Sequence, residues 1–267
     1  SSSVWSLNQQ RAAASGGRGI WRFASPQRAH WLADWLQPGL IAVAVVTLLA
    51  GLYVGFFVAP TDHQQGEVYR IIFVHVPAAW LSMLLYVAMA FWAAVGWVFN
   101  TRVSALLARA IAPTGALFTF LALWTGALWG QPTWGTWWVW DARLTSELLL
   151  LFLYLGVMGL QSAIDDPRRG DRAGALLSIV GVVNVPIIYF SVQWWNTLHQ
   201  GASISFKAAP SMATSMLIGM LLCMAGLWTW SAVVVLRRFQ TLVIEREADA
   251  AWVREILDEA SKQGERA

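Results

Sequence analysis

The chain has 267 residues, of which 57% are hydrophobic and 12% charged, with a formal net charge of +3. Soluble domains carry about 25% charged residues, so this composition leaves too little polar surface to cover a water-soluble fold. The apolar residues are gathered into blocks of membrane-spanning length, which defines an integral membrane protein. The small positive excess has no nucleic-acid meaning, because the basic residues sit mostly beside the apolar blocks, where topology accounts for them. A single cysteine, Cys223, excludes an intrachain disulfide and any paired-cysteine motif.

The first 35 or so residues are rich in Ser, Gly and Arg and contain Trp21, Trp31 and Trp35. They are expected to be partly disordered and partly interfacial, within a cytoplasmic arm covering 1–39. Six apolar blocks follow, over 40–58, 77–99, 112–129, 144–164, 173–192 and 211–236. Each is close to the roughly 20 residues a helix needs to cross the hydrocarbon. They are continuous runs and do not alternate, so they read as helices rather than barrel strands. The first block is too long for a signal-peptide core and is expected to remain as an anchor. Pro77, Pro113 and Pro210 are expected near helix starts, where a missing N–H costs nothing. Pro186 falls inside the fifth helix and should kink it, with Asn184 available to a freed carbonyl. Residues 238–267 form a tail in which Glu and Arg alternate with apolar residues at helical spacing, an amphipathic cytoplasmic helix.

Lys and Arg set the orientation. The N-terminal arm carries Arg11, Arg18, Arg22 and Arg28, and the second and fourth connections carry Arg102, Arg109, Arg168, Arg169 and Arg172. The tail adds six more basic residues, whereas the remaining three connections hold only Arg70, Arg143 and Lys207. This asymmetry places both termini in the cytoplasm and turns the first, third and fifth connections outward.

Four features then fall on the outer face. His75 precedes Pro77 at the outer end of the second helix. The third connection holds Trp129, Trp134, Trp137, Trp138 and Trp140 and ends at Asp141. The fifth holds Trp194, Trp195 and His199. A Trp-rich connection by itself reads first as an aromatic belt, but belts scatter their indoles and do not pile five into one segment. A lone His at a helix end is ordinarily solvated or hydrogen-bonded, and Asp141 reads equally well as a helix N-cap. Convergence on one face raises a different reading. Imidazole is a common axial ligand of haem iron, and a porphyrin plane wants aromatic walls. Arg70, Arg143 and Lys207 are the outer cations available to its propionates. Glu147 suits the fourth helix N-terminus through the macrodipole. His63 lies in a polar outer loop and ranks below the other two, and His30 on the arm is expected to be solvated.

At these residues the chain resembles the membrane proteins that handle haem through a tryptophan-rich "WWD" segment. Trp-Gly-Thr-Trp-Trp-Val-Trp-Asp-Ala-Arg-Leu-Thr at 134–145 is the hallmark of that superfamily. Phe-Val-His-Val-Pro-Ala-Ala-Trp at 73–80 and Trp-Trp-Asn-Thr-Leu-His-Gln-Gly at 194–201 narrow the resemblance to the haem exporter C (CcmC) family of bacterial cytochrome c maturation. It covers roughly residues 40–237. It implies an all-α inner-membrane protein with six transmembrane helices and a Trp-rich periplasmic loop between helices 3 and 4. It also implies that His75 and His199 ligate the iron of haem b and that 129–141 forms the platform. The partners it implies are a membrane-anchored haem chaperone that receives the haem, the ATPase and permease subunits of an ABC transporter, a small single-span subunit and the lipid bilayer, with no nucleic acid.

Other classes fit less well. Haem lyases of the same superfamily act directly on apocytochrome but carry more helices. A transmembrane electron-transfer cytochrome needs haem sites stepping across the bilayer, and no His lies within a predicted span. A retinal protein needs a lysine inside a span, and Lys207 and Lys262 lie outside. A permease subunit without a haem site remains open on composition. Nothing resembles a Walker motif, so ATP use would belong to a partner.

Overall fold

The computed structural model describes residues 24–194 and 212–264. Within them the chain is helical, and the only bridge between extended backbones is the isolated pair Asp62–Gly66. Helix α1 covers Pro26–Tyr53 and runs on through a single π turn, Val54–Val58. A 3-10 turn, Val68–Ile71, leads into α2, Ile72–Phe99. Next come α3, Arg102–Trp134, and α4, Ala142–Ala163. The fifth span is divided into α5, Pro167–Gly181, and α6, Asn184–Trp194. The sixth is α7, Thr214–Arg246, and the short α8, Ala251–Gly264, follows it. Six helical segments are thus long and apolar enough to cross a membrane.

The spans are longer than the apolar blocks, and the differences have physical causes. Helix α1 begins at Pro26, inside the expected arm, because Pro fits the first helical position and residues 26–39 have a partner to pack on. That partner is the far end of α7. Gln240 donates through Nε2 to the His30 carbonyl (3.1 Å) and to Asp34 (2.9 Å), and Gln37 donates to Gln240 Oε1 (2.5 Å). His30 is therefore buried and not solvated, its ring 5.7 Å from that of Trp252 on α8. Trp31 and Trp35 on the other side of α1 remain exposed, as interfacial residues do. The tail is two helices with a break at 247–250, not one, since α7 itself continues to Arg246.

Pro113 does not start a helix but sits deep within α3, which reaches back to Arg102, and Pro77 lies a turn and a half into α2. Pro186 interrupts its span outright. The Val182 carbonyl that Pro186 cannot serve accepts the Val185 N–H (3.1 Å). Asn184 does not repair its own helix; its Nδ2 donates to the Ser146 carbonyl of α4 (2.8 Å). Pro210 lies outside the described residues.

Helix pairs approach through small residues, as expected where water exclusion cannot drive association between apolar surfaces. Helix α1 lies on α7, where a side chain at Gly51 would strike the Cys223 backbone at 2.7 Å and one at Gly226 the Leu48 backbone at 2.8 Å. Helix α2 lies on α3, turned back at Asn100, whose left-handed backbone (φ 51°) ends the helix. Helices α4, α5 and α6 close the bundle against α2 and α3. The main core gathers Tyr86, Met89, Leu106, Leu150, Tyr154 and Phe239. A second cluster around Phe73, Met216, Met220 and Cys223 underlies the turn that carries His75. Cys223 is thus a buried core residue.

Candidate functional site

His75 is in the first turn of α2, inside the helix and half-buried, not beyond its end. Three residues of α3 define its position. Gly126 provides clearance, since a Cβ there would stand 3.1 Å from His75 Cε1. The Trp129 ring meets the imidazole edge-on, with centroids 5.6 Å apart. Thr125 Oγ1 lies 2.9 Å from His75 Nδ1. The Thr125 hydroxyl has one proton, and it donates to the Leu121 carbonyl at 2.6 Å. The contact with His75 is then completed by a proton on Nδ1, which leaves the Nε2 lone pair of a neutral imidazole unused by this bond. A ring N–H fixed by an outer partner is the usual support of a histidine that ligates metal.

Trp129 is fixed in turn. Its Nε1 donates to Gln65 Oε1 at 2.9 Å, in the connection between α1 and α2. That connection is shaped by Asp62, whose Oδ1 accepts the N–H groups of Gln65 (2.7 Å) and Gln64 (2.9 Å). The same two bonds hold the Asp62 carboxyl below its ordinary pKa. With the folded value depressed, its contribution to the turn is present above the ordinary carboxylate range and lost as pH falls through the folded value. His63 sits exposed at the tip of this turn.

The Trp-rich segment is not a single loop. Trp129 and Trp134 belong to the last turns of α3, which ends at Gly135 in the left-handed conformation (φ 78°). Trp134 folds back over Gly130, where a Cβ would meet its ring at 3.2 Å. Trp137 and Trp140 lie in the connection itself, 58% and 76% exposed. Trp138 is half-buried, stacks edge-on with Trp140 at 5.3 Å, and has a buried Nε1 with no hydrogen-bond partner among the described residues. Asp141 caps α4 by accepting the Leu144 N–H at 2.8 Å. Trp194, at the end of α6, is exposed and stacks on Phe190 with centroids 5.1 Å apart. Trp195, His199 and Lys207 lie outside the described residues.

The two described cations of this end differ. Arg70 is committed to the end of the first span: Nη1 donates to the carbonyls of Gly55 (2.6 Å) and Ala59 (3.0 Å), and Nε pairs with Glu67. Arg143, half-buried in the first turn of α4, has Asp141 and Glu147 as its charged neighbours. Glu147 is the site residue that sequence reasoning misjudged. It is buried against α2 and accepts the Ser82 hydroxyl at 2.7 Å, so its partner is another helix as well as the dipole of its own. An ionisable group within a membrane span is costly unless paired. Its spacing of four residues from Arg143 on one helix face was the available signal.

Together these features define a class: a six-span helical membrane protein whose one end carries a helix-borne imidazole beside a cluster of indoles. Comparison with known proteins agrees and makes the assignment specific. The family model described as Heme exporter protein C matches residues 19–254. The chain is 47% identical over 236 residues to Heme exporter protein C of Escherichia coli (strain K12), covering 88% of this chain and 95% of that one. It is 46% identical over 232 residues to the Haemophilus influenzae protein of the same name, covering 87% and 94%. With the Bradyrhizobium diazoefficiens relative it shares 50% over 198 residues, 74% and 75% of the two chains. The chain belongs to the haem exporter protein C family.

Proposed function

We propose that this protein holds haem b at the His75 end of the bundle and hands it on for the biogenesis of c-type cytochromes. His75 and His199 would be the axial ligands, with the Trp129–Trp140 indoles as the wall for the macrocycle. The observation that supports this best is the Thr125 contact with His75 Nδ1, an outer partner of the kind that orients a metal-ligating imidazole. The buried Nε1 of Trp138, unpartnered among the described residues, suits a polar edge of an incoming ligand. Arg143 is the described cation best suited to a propionate, since Arg70 is already engaged by two carbonyls and Glu67; Arg70 then acts by bracing the platform. Lys207, Trp194, Trp195 and Asp141 complete the proposed surround.

The charge pattern supports a periplasmic site in a bacterial inner membrane, with the recipient a membrane-anchored haem chaperone. An ABC transporter ATPase and permease and a small single-span subunit are the proposed companions. Haem is cargo here, so the site must also let go, and indoles exposed in a connection suit release better than a closed pocket. The test is the Soret spectrum of protein purified from haem-replete cells, beside His75→Ala and His199→Ala. A haem band that vanishes or shifts in both variants is the expected result; unchanged bands in both would overturn the assignment.

A further inference from the structure

At the end of the bundle away from His75, α2, α3, α4 and α5 part around a cavity of about 710 Å³, within the ~300–1,000 Å³ usual for small-molecule sites. Its deep wall is apolar, built from Met89, Leu106 and Val157, with Trp97 at the edge. Its mouth is cationic. Five arginines line it against three carboxylates, an excess of two positive charges.

The carboxylates are already engaged within the protein. Glu247 accepts Arg102 at 2.6 Å, and Asp171 accepts both Arg246 and Arg109 at 3.1 Å. These pairs tie α3, α5 and α7 together and fix the walls before any ligand arrives. Asp166 caps α5 by accepting the N–H groups of Arg168 and Arg169. Arg169 and Arg172 stand one turn apart on α5, exposed at the cavity mouth.

We infer that this cavity binds a dianionic amphiphile, its apolar body against Met89, Leu106 and Val157 and its acidic groups at Arg169 and Arg172. Basic pockets between spanning helices at a cytoplasmic surface suit acidic lipid headgroups, and the charge pattern assigns this end to that surface. A dicarboxylate tetrapyrrole has the same chemistry, a flat apolar body with two acids. The inference stands apart from the His75 site, because it uses none of its residues.

The test compares the full chain with the Arg169→Gln/Arg172→Gln double variant by native mass spectrometry, titrating cardiolipin, phosphatidylcholine and haemin separately. A parallel pair carrying His75→Ala removes the proposed outer haem site from the haemin arm. The expected result is one tight adduct of a dianionic probe, weakened about tenfold or more in the double variant, with phosphatidylcholine binding equally weak in both. A differential confined to cardiolipin identifies membrane lipid as the ligand, and one that haemin shows or competes away identifies the tetrapyrrole. Equal binding of both dianionic probes to the two proteins, or phosphatidylcholine held as tightly as the dianionic probe that shows the differential, overturns the inference. Both substituted residues are exposed, so a matching helical signal and melting curve establish that the variant is folded.

Discussion

His75 and the indoles of Trp137 and Trp140 lie at the same end of the molecule, yet they are built on opposite principles. His75 stands on a helix, and three residues of the adjacent helix decide its position: Thr125 by a hydrogen bond, Gly126 by leaving room, Trp129 by ring contact. Trp137 and Trp140 stand in a connection, more than half exposed. This is a division of labour that suits the proposed carrier role. The iron ligand proposed for His75 would have to be placed within a few tenths of an ångström, which packed helices achieve. An apolar wall tolerates imprecision, and a wall that is not packed in place can also release what it covers.

The sharpest way to break this comparison is His75→Ala, which should lower haem retention by more than about 100-fold, beyond what loss of an outer partner usually costs; haem titration of the purified protein reads this directly. Thr125→Val comes next. It keeps the shape and removes the acceptor of the Nδ1 proton, so haem affinity should fall about 10–100-fold, and Thr125→Ser should restore it. If Val and Ser variants bind haem alike, the Thr125 hydrogen bond has no role. Gly126→Ala should cost a severalfold loss, because its methyl would stand 3.1 Å from His75 Cε1. Since Ala favours helix over Gly by about 1 kcal/mol, the melting temperature should not fall with it. On the pliable side, Trp140→Ala should change retention by only about threefold or less, because an exposed aromatic stack contributes about 0.5 kcal/mol. A larger loss would show that the connection is as fixed in the loaded protein as the helix. Smallest of all on binding, Gln240→Ala at the far end should leave the Soret band unchanged. It removes the acceptor of the Gln37 Nε2 and the donor to Asp34 and should lower the apparent melting temperature, at a cost of about 1–3 kcal/mol.

Much of the architecture was legible from the chain. Helices that cross a bilayer must satisfy their backbone internally and present apolar side chains to lipid, so block length and content sufficed for the six spans. The N-cap role of Asp141 was also readable, because capping is decided within three residues. The errors occurred where a partner from elsewhere in the chain decided the outcome. Residues 26–39 looked like a loose arm until Gln240 and Trp252 supplied the surface that makes them helix and buries His30. Pro113 looked like a boundary because no local signal reveals that α3 is packed on both sides of it. Glu147 looked like a dipole partner because Ser82, 65 residues away, is its neighbour only in the fold.

Sequence alone determined that this is a six-span helical membrane protein, which family it resembles, and which residue types gather at each end, since these follow from composition, period and motif along the chain. Only the tertiary structure decided that His75 Nδ1 lies against the Thr125 hydroxyl, that Arg70 braces the first span, and that arginines of three helices ring a cavity at the far end. Those properties depend on distances between residues tens of positions apart, and packing of helix on helix sets such distances, while local propensity does not.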